Sequence, residues 1–400
     1  MSIRTGVGSS KHLDAFSAGK EASQQSLQKM GGKETRLVFV FSSVKYNQQE
    51  VLKGIRSVVG DKTTLLGCSD AGNITTAGPD RKSVAVMTIQ SDTLKFSVGL
   101  GRGIAENAKR AGMDVAREVL KSHANNGSGK GKVLAILPDG LAGNGADIIR
   151  GAQEVFGAGF PIVGGSAGDD FLFQKTYQYY QDQVLTGTVP GILFDGPIQF
   201  GIGVRHGWMP IGEPHKVTRS EGNILKEIEG RPAVSIYEDY FGKKAEELQK
   251  EPLARMAIVY PLGITLLGAD EYLIRDPITV KEDGSIVCAA EVPEGSQVSL
   301  MIGGKEEAIQ AAQVAAQQAV QRLGSAKPRF ALIFNCIARN KVLGDRVTDE
   351  IDAIKATLGP QADIIGFYTY GEQAPLTGFI GKDCQSQFCN ETMVILAIGE

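Results

Sequence analysis

No stretch of this sequence approaches the roughly 18 consecutive apolar residues that a membrane-spanning helix needs, and neither sign of charge dominates it. Lysine and arginine number 42 against 45 aspartates and glutamates, a formal net charge of -3. Without a basic excess the chain lacks the electrostatic footprint of a nucleic-acid binder. Cysteine is scarce: Cys68, Cys288, Cys336, Cys384 and Cys389 are all there is in 400 residues. An odd, scattered set makes no disulfide framework, and Cys384 with Cys389 lacks the two further ligands of a zinc site. The amino-terminal stretch has no unbroken apolar segment of the kind a secretory signal requires. These absences together lead us to expect a reducing, cytoplasmic setting, with neither nucleic acid nor membrane as partner. Histidine is rarer still, at four residues, and no C-x-x-C-H occurs, which excludes covalently attached haem.

What the chain has in quantity is glycine, 50 residues of it, and much of it stands where apolar runs end. "LLGCSDAGNI" (65–74), "PIVGGSAGDDF" (161–171) and "DIIGFYTYGEQAP" (363–375) share one shape. Each is a buried strand that stops in small or polar residues. Around these loops the chain reads as one unit used three times: strand, helix, strand, helix, strand, glycine loop, then a closing strand. The second unit spans 95–171, with Ile104, Ala108, Ala111, Val115 and Val119 on one face of its long helix. A Gly/Asn/Ser linker follows that helix. The third unit reads from the strand "SQVSLMIGG" to residue 375. The closing strands are 83–90, 189–196 and 391–400. Residues 198–301 hold different material: strands, a helix around 232–241, a charged exposed stretch at 243–252 and a meander from 272. The fold class expected is therefore α/β, with repeated strand-helix-strand-helix-strand units forming mixed sheets covered by helices. A domain boundary is expected near 222, giving 1–222 and 223–400.

Several of these segments together resemble the FIST family (F-box and intracellular signal transduction proteins). An N-terminal FIST region is carried by "LLGCSDAGNI", "GGSAGDDF" and "HGWMPIGEPHKVTRSEGNILKEIEGRPA". A C-terminal one is carried by "IRDPITV", "FNCIARNKVLG" and "GFYTYGEQAP". The resemblance implies a prokaryotic, non-enzymatic sensory module that binds a small ligand, an amino acid or similar metabolite. It also implies an alternative, since some members are haem proteins that sense nitric oxide and regulate a partner histidine kinase. A kinase or chemoreceptor output domain has no room in this chain, so a separately encoded partner or a homo-oligomer would carry the signal.

Candidate site residues follow from the loops, because ligands of open α/β sheets settle outside the carboxyl ends of strands. Arg339 suits a bidentate clamp on a carboxylate, and Glu372 a seat for an ammonium; an internal Arg339–Glu372 ion pair is the competing reading. Tyr368 and Tyr370, two apart on a strand, would wall an apolar pocket together. Ser69 and Ser166 lie in the first two glycine loops, and Asp169 is an acceptor for a ligand amine. Cys336 lines the same strand end; as a nucleophile it would define a thiol enzyme, and as a small buried residue it would merely pack. His206, beside Trp208, is the first choice for an axial ligand of haem b. His215 is the second, while His12 and His123 read as exposed helix positions. "GLGRG" (99–103) departs from the spacing of a phosphate loop and reads as a strand-to-helix turn.

Overall fold

The computed structural model describes residues 3–32, 34–124, 131–242, 253–269, 271–377 and 384–400. The linker at 125–130 and the charged stretch 243–252 lie outside them.

The first unit runs β1 (Arg4–Ser10), α1 (Ala15–Met30), β2 (Leu37–Ser43), α2 (Gln48–Val59), β3 (Thr64–Asp70), a small hairpin β4 (Asn73–Thr75) and β5 (Gly78–Asp80), and β6 (Val84–Gln90). The second repeats it as β7 (Lys95–Arg102), α3 (Ile104–Ala124), β8 (Val133–Ile136), α4 (Gly145–Phe156), β9 (Ile162–Gly165), β10 (Gln178–Tyr180), β11 (Gln183–Leu185) and β12 (Thr188–Asp195). The third opens with β13 (Gln199–Arg205). It is then interrupted by β14 (Met209–Glu221), β15 (Ile224–Ile228), β16 (Arg231–Pro232), α5 (Ser235–Phe241), α6 (Leu253–Ala257), β17 (Leu262–Ile264), β18 (Leu273–Arg275), β19 (Pro277–Val280), β20 (Ile286–Cys288) and β21 (Gln297–Ile302). It resumes with α7 (Lys305–Arg322), β22 (Pro328–Cys336), α8 (Ile337–Leu343), α9 (Val347–Leu358), β23 (Asp363–Thr369), β24 (Glu372–Thr377), β25 (Gln385–Cys389) and β26 (Met393–Gly399).

Each unit builds the same sheet. The strand orders are β1-β6-β2-β3, β7-β12-β8-β9 and β13-β26-β22-β23, with the closing strand antiparallel to both neighbours and the last pair parallel. The expected α/β class and triplication are both present. The small hairpins are exchanged in a cycle: β4–β5 joins the third sheet at β23, β10–β11 the first at β3, and β24–β25 the second at β9. No unit completes its own sheet, so the three fold as one body.

Alternation along the strands explains the layers. Phe39 and Phe41 of β2, Val133 and Ala135 of β8, and Phe330, Leu332 and Phe334 of β22 face a single core shared by the three sheets. The residues between them face outward onto helices: Val38 and Val40 onto α1 and α2, Leu134 and Ile136 onto α3 and α4, Ala331 and Ile333 onto α7 and α9. The helices sit close because the first strand of every unit carries a Gly-x-Gly: Gly6 and Gly8, Gly99 and Gly101, Gly201 and Gly203. A Cβ at any of these positions would run into the backbone of α1, α3 or α7. "GLGRG" is thus packing plus turn, as its spacing implies.

The strand taken from sequence to open the third unit is corrected here. "SQVSLMI" is β21, which pairs with β14 and β17 in a separate eight-stranded sheet. The true first strand, "QFGIGVR", lies before the inserted segment. Residues 222 and 223, the expected boundary, stand in the turn between paired β14 and β15, inside that inserted sheet. His123 is buried, with Nε2 3.4 Å from Asp195 Oδ2, rather than exposed; His12 is exposed but precedes α1. No helix among the described residues is long and apolar enough to cross a membrane.

Candidate functional site

The three glycine loops meet where the carboxyl ends of β3, β9 and β23 converge, and they meet each other first. Gly168 N–H donates to Ser69 O and Ser69 Oγ donates to Gly168 O. Tyr370 N–H donates to Ser166 O, Ser166 N–H to Gly371 O, and Ala71 N–H to Tyr368 O. Small residues are needed here so that backbones of different units can bond. Ser69, expected as a ligand contact, is buried in this lattice and also accepts Tyr177 N–H at 2.9 Å.

A hollow of about 120 Å³ opens beside this junction. Its walls are Phe171 and Phe173 from the second loop, Tyr370 from the third, Cys336, Ile337 and Ala338 at the β22–α8 corner, Asp276, Pro277 and Ile278 from the inserted sheet, and Asn390. The segments "GGSAGDDF", "IRDPITV", "FNCIARNKVLG" and "GFYTYGEQAP" therefore supply most of one cavity. A second hollow of about 280 Å³ shares Tyr370 and Ala289 with it and is lined by Ser166, Asp139, Asn144 and Glu291 among others. A larger groove, about 1010 Å³, opens at the opposite ends of the strands around Arg36, Lys62 and Lys95.

The aromatic loop over the first hollow is held under strain. Asp170, Phe171 and Phe173 have φ of 55°, 68° and 54°, a region bulky residues rarely occupy and one that persists only when neighbours enforce it. The enforcing group is Asp169. Its carboxylate accepts the N–H groups of Phe173 (2.8 Å), Gln174 (2.6 Å) and Lys175 (2.9 Å) and the Tyr370 hydroxyl. Asp169 thus positions the loop instead of waiting for a ligand amine. Phe173 stacks on Tyr370 at 4.7 Å, and Lys341 Nζ lies 4.2 Å from the Phe171 ring centre. Phe171, Leu172 and Phe173 remain 37%, 55% and 55% exposed.

Arg339 is corrected most sharply. It neither enters the hollow nor faces Glu372. Its guanidinium is fully buried, with Nε and Nη2 both donating to Glu350 Oε1 (3.0 and 2.6 Å), Nη2 also to Ala308 O (2.7 Å) and Nη1 to His206 O. Glu350 Oε2 takes Asn335 Nδ2 at 2.7 Å, and Trp208 lies against the guanidinium. Tyr368 is likewise buried, between the third sheet and its helices, away from the hollow that Tyr370 lines. His206 has both ring nitrogens engaged: Nδ1 accepts Trp208 N–H at 2.9 Å and Nε2 lies 2.7 Å from Glu271 Oε2. It lines neither hollow, so the geometry offers no vacant axial nitrogen there. Judged against an apolar cavity of about 150 Å³ that holds benzene, a hollow of about 120 Å³ has no room for a porphyrin.

Behind the hollow lies a group of acids the sequence reading only half found. Glu372 is fully buried; Oε1 accepts the Thr369 hydroxyl and Oε2 accepts Thr392 N–H at 3.1 Å. Burial, with Asp276 adding to it, pushes its carboxyl up to about 8. Glu391, also fully buried and at φ 54°, is raised well above the carboxylate range by burial and then by Asp276. Asp276 is pushed up to about 6 by burial, against the pull of Glu391 and Arg275. The contact between Asp276 and Glu391 acts oppositely on the two carboxyls, lowering Asp276 and raising Glu391. Among the described residues no lysine, arginine or histidine pairs with these acids. Arg275 spends its donors on the carbonyls of Glu291, Ile274 and Phe388. The same burial and acids push the Cys336 thiol well up, the reverse of what activates a nucleophile. No cluster able to hold a metal ion occurs among the described residues.

Residues missed by sequence reasoning are Asp276, Asn390, Glu391, Phe171 and Phe173. "IRDPITV" and "GGSAGDDF" mark two of them, Asp276 and Phe171, as segments; nothing local in "FCNET" marks a buried glutamate.

An uncharacterised Methanocaldococcus jannaschii protein is 28% identical over 150 residues, 35% of this chain and 29% of its own. One from Mycobacterium tuberculosis is 27% identical over 229 residues, so the chain spans about half its length, 57%. One from Mycobacterium bovis is 23% identical over 94% of this chain and 95% of its own. Among solved structures, a cyanuric acid hydrolase from A. caulinodans overlaps 49% of this chain and 71% of its own at a TM-score of 0.30 and 9% identity. T. maritima PurL complexed with ADP overlaps 99% and 72% at 0.23 and 9%. Likeness so slight bears on neither fold nor function. The model of the FIST N domain matches residues 36–231 and that of the FIST C domain residues 233–375, and with nearly the whole chain spanned by the two, this protein belongs to the FIST family.

Proposed function

We propose that this protein is a ligand-binding sensor whose small-molecule site is the hollow between the aromatic loop 170–173 and the β22–α8 corner. FIST domains are generally sensory domains of signal transduction. The observation that carries the reading is that the family's segments from both halves of the chain contribute walls to one small cavity backed by unpaired polar groups. Ligand sites have this makeup: mostly apolar walls and a few convergent polar groups. A ligand there touches Phe173 and Tyr370 directly. It biases the strained, partly exposed aromatic loop by its differential affinity for the loop's arrangements, and a separate partner reads that surface. Neither catalysis nor haem is needed. Burial and the neighbouring acids push the Cys336 thiol well up, and the His206 nitrogens are engaged within the protein.

Native mass spectrometry of the freshly purified protein tests this. The expected result is a retained small molecule that is lost in Ala338→Leu, which fills the hollow, and kept in Lys62→Ala, in the distant groove. Retention in Ala338→Leu would remove the hollow from consideration.

A further inference from the structure

We infer that the hollow recognises a small protonated amine carried on a compact apolar body, with Asp276 and Asn390 as its direct partners and Glu391 behind them. This rests on the hollow being the ligand site. Three observations converge. First, the lining holds one charged residue, Asp276, and no cation. Arg339, the one arginine beside the hollow's helix corner, is committed to Glu350. Second, hydrogen-bond acceptors there are left without donors. Asn390 lines the hollow and is 2% exposed, yet its Oδ1 accepts nothing; Asp276 Oδ1 and both Glu391 oxygens are in the same condition. Buried acceptors of this kind are costly unless something donates to them, and an ammonium brings three donors and a positive charge. Third, the other walls include Phe171, Phe173, Pro277, Ile278, Ile337 and Ala338, which suit a hydrocarbon body and, through the rings, a cation. The volume, below that of a benzene-sized cavity, confines that body to about half a dozen heavy atoms.

An anion would place its charge beside Asp276 and two further buried acids. A neutral alcohol would satisfy one acceptor and leave the others bare. An ammonium alone brings both several donors and a positive charge to this set of acceptors.

Ligand-observed NMR titration of the whole protein decides it, using isobutylamine, isobutanol, isobutyrate and L-valine at pH 7. Isobutylamine is expected to bind at least about tenfold more tightly than isobutanol, and isobutyrate to show no binding. In Asp276→Asn the amine's advantage over isobutanol is expected to fall below about threefold. Equal binding of amine and alcohol, or tighter binding of L-valine than of isobutylamine, would overturn the amine assignment, the latter by revealing a carboxylate partner. If Asp276→Asn does not fold, the ranking on the unaltered protein decides alone. Failure of all four probes also overturns the amine assignment, whereas the hollow itself stands or falls separately on whether Ala338→Leu loses the retained molecule.

Discussion

Arg339 and Glu350 form an ion pair with no solvent exposure on either side chain, 2.6 Å between Nη2 and Oε1. Two charges taken out of water are held only because their remaining donors and acceptors are used: Asn335 serves Glu350, and the carbonyls of His206 and Ala308 serve Arg339. The pair ties α8 to α9, to the end of β13 and to α7. Removing one partner strands the other charge, which costs about 3–5 kcal/mol. Arg339→Ala is therefore expected to lower the urea midpoint substantially, whatever ligand is present. A variant of unchanged stability would contradict the pairing.

Buried acids make stability depend on pH in an unusual direction. Asp70, pushed up to about 8 by burial and by Asp170, and Glu372, pushed up to about 8 by burial, titrate near 4 when unfolded. The folded state thus holds these protons more tightly. Their contribution is fully present below about pH 4 and is lost as pH rises to about 8, on the order of a few kcal/mol for each group. Denaturation midpoints are expected to fall from pH 5 to pH 8.5. Glu372→Gln keeps an acceptor for Thr392 N–H and a donor for Thr369, and should match the parent at pH 5 and exceed it at pH 8.5. A midpoint that rises over this interval would refute the assignment.

Cys336 is 3% exposed and surrounded by Glu372, Asp276 and Glu391. Iodoacetamide is expected to label it more slowly than free cysteine at pH 8, by at least about tenfold, since the thiolate is the reacting form. Labelling faster than free cysteine would restore the thiol-enzyme reading.

Gly203 abuts Ala315 O of α7 so closely that a methyl group forces the helix off the sheet. Gly203→Ala is expected to cost roughly 3 kcal/mol, since backbone cannot yield as a side chain does. Gly6→Ala and Gly101→Ala should behave alike. An effect at only one of the three would break the equivalence of the units.

The α/β class, the three units and the loops that gather at strand ends are all legible in residue order, because period, punctuation and strand-end glycine are local properties. The Gly-x-Gly of β13 is not legible as the opening of the third unit, and β21 reads as the opening strand instead, since the inserted sheet separates β13 from its helix by the whole of 206–304. Local signals also place Tyr370 and Cys336 at the hollow. They misplace Arg339, because α9, which carries Glu350, enters only through the packing of helices on the third sheet. The exchange of hairpins, the strained loop around Phe171 and the nearness of Asp276 to Glu391 belong to tertiary structure alone. Each depends on which distant backbones are brought into contact and on how completely water is removed there, and neither quantity is written in any single stretch of the chain.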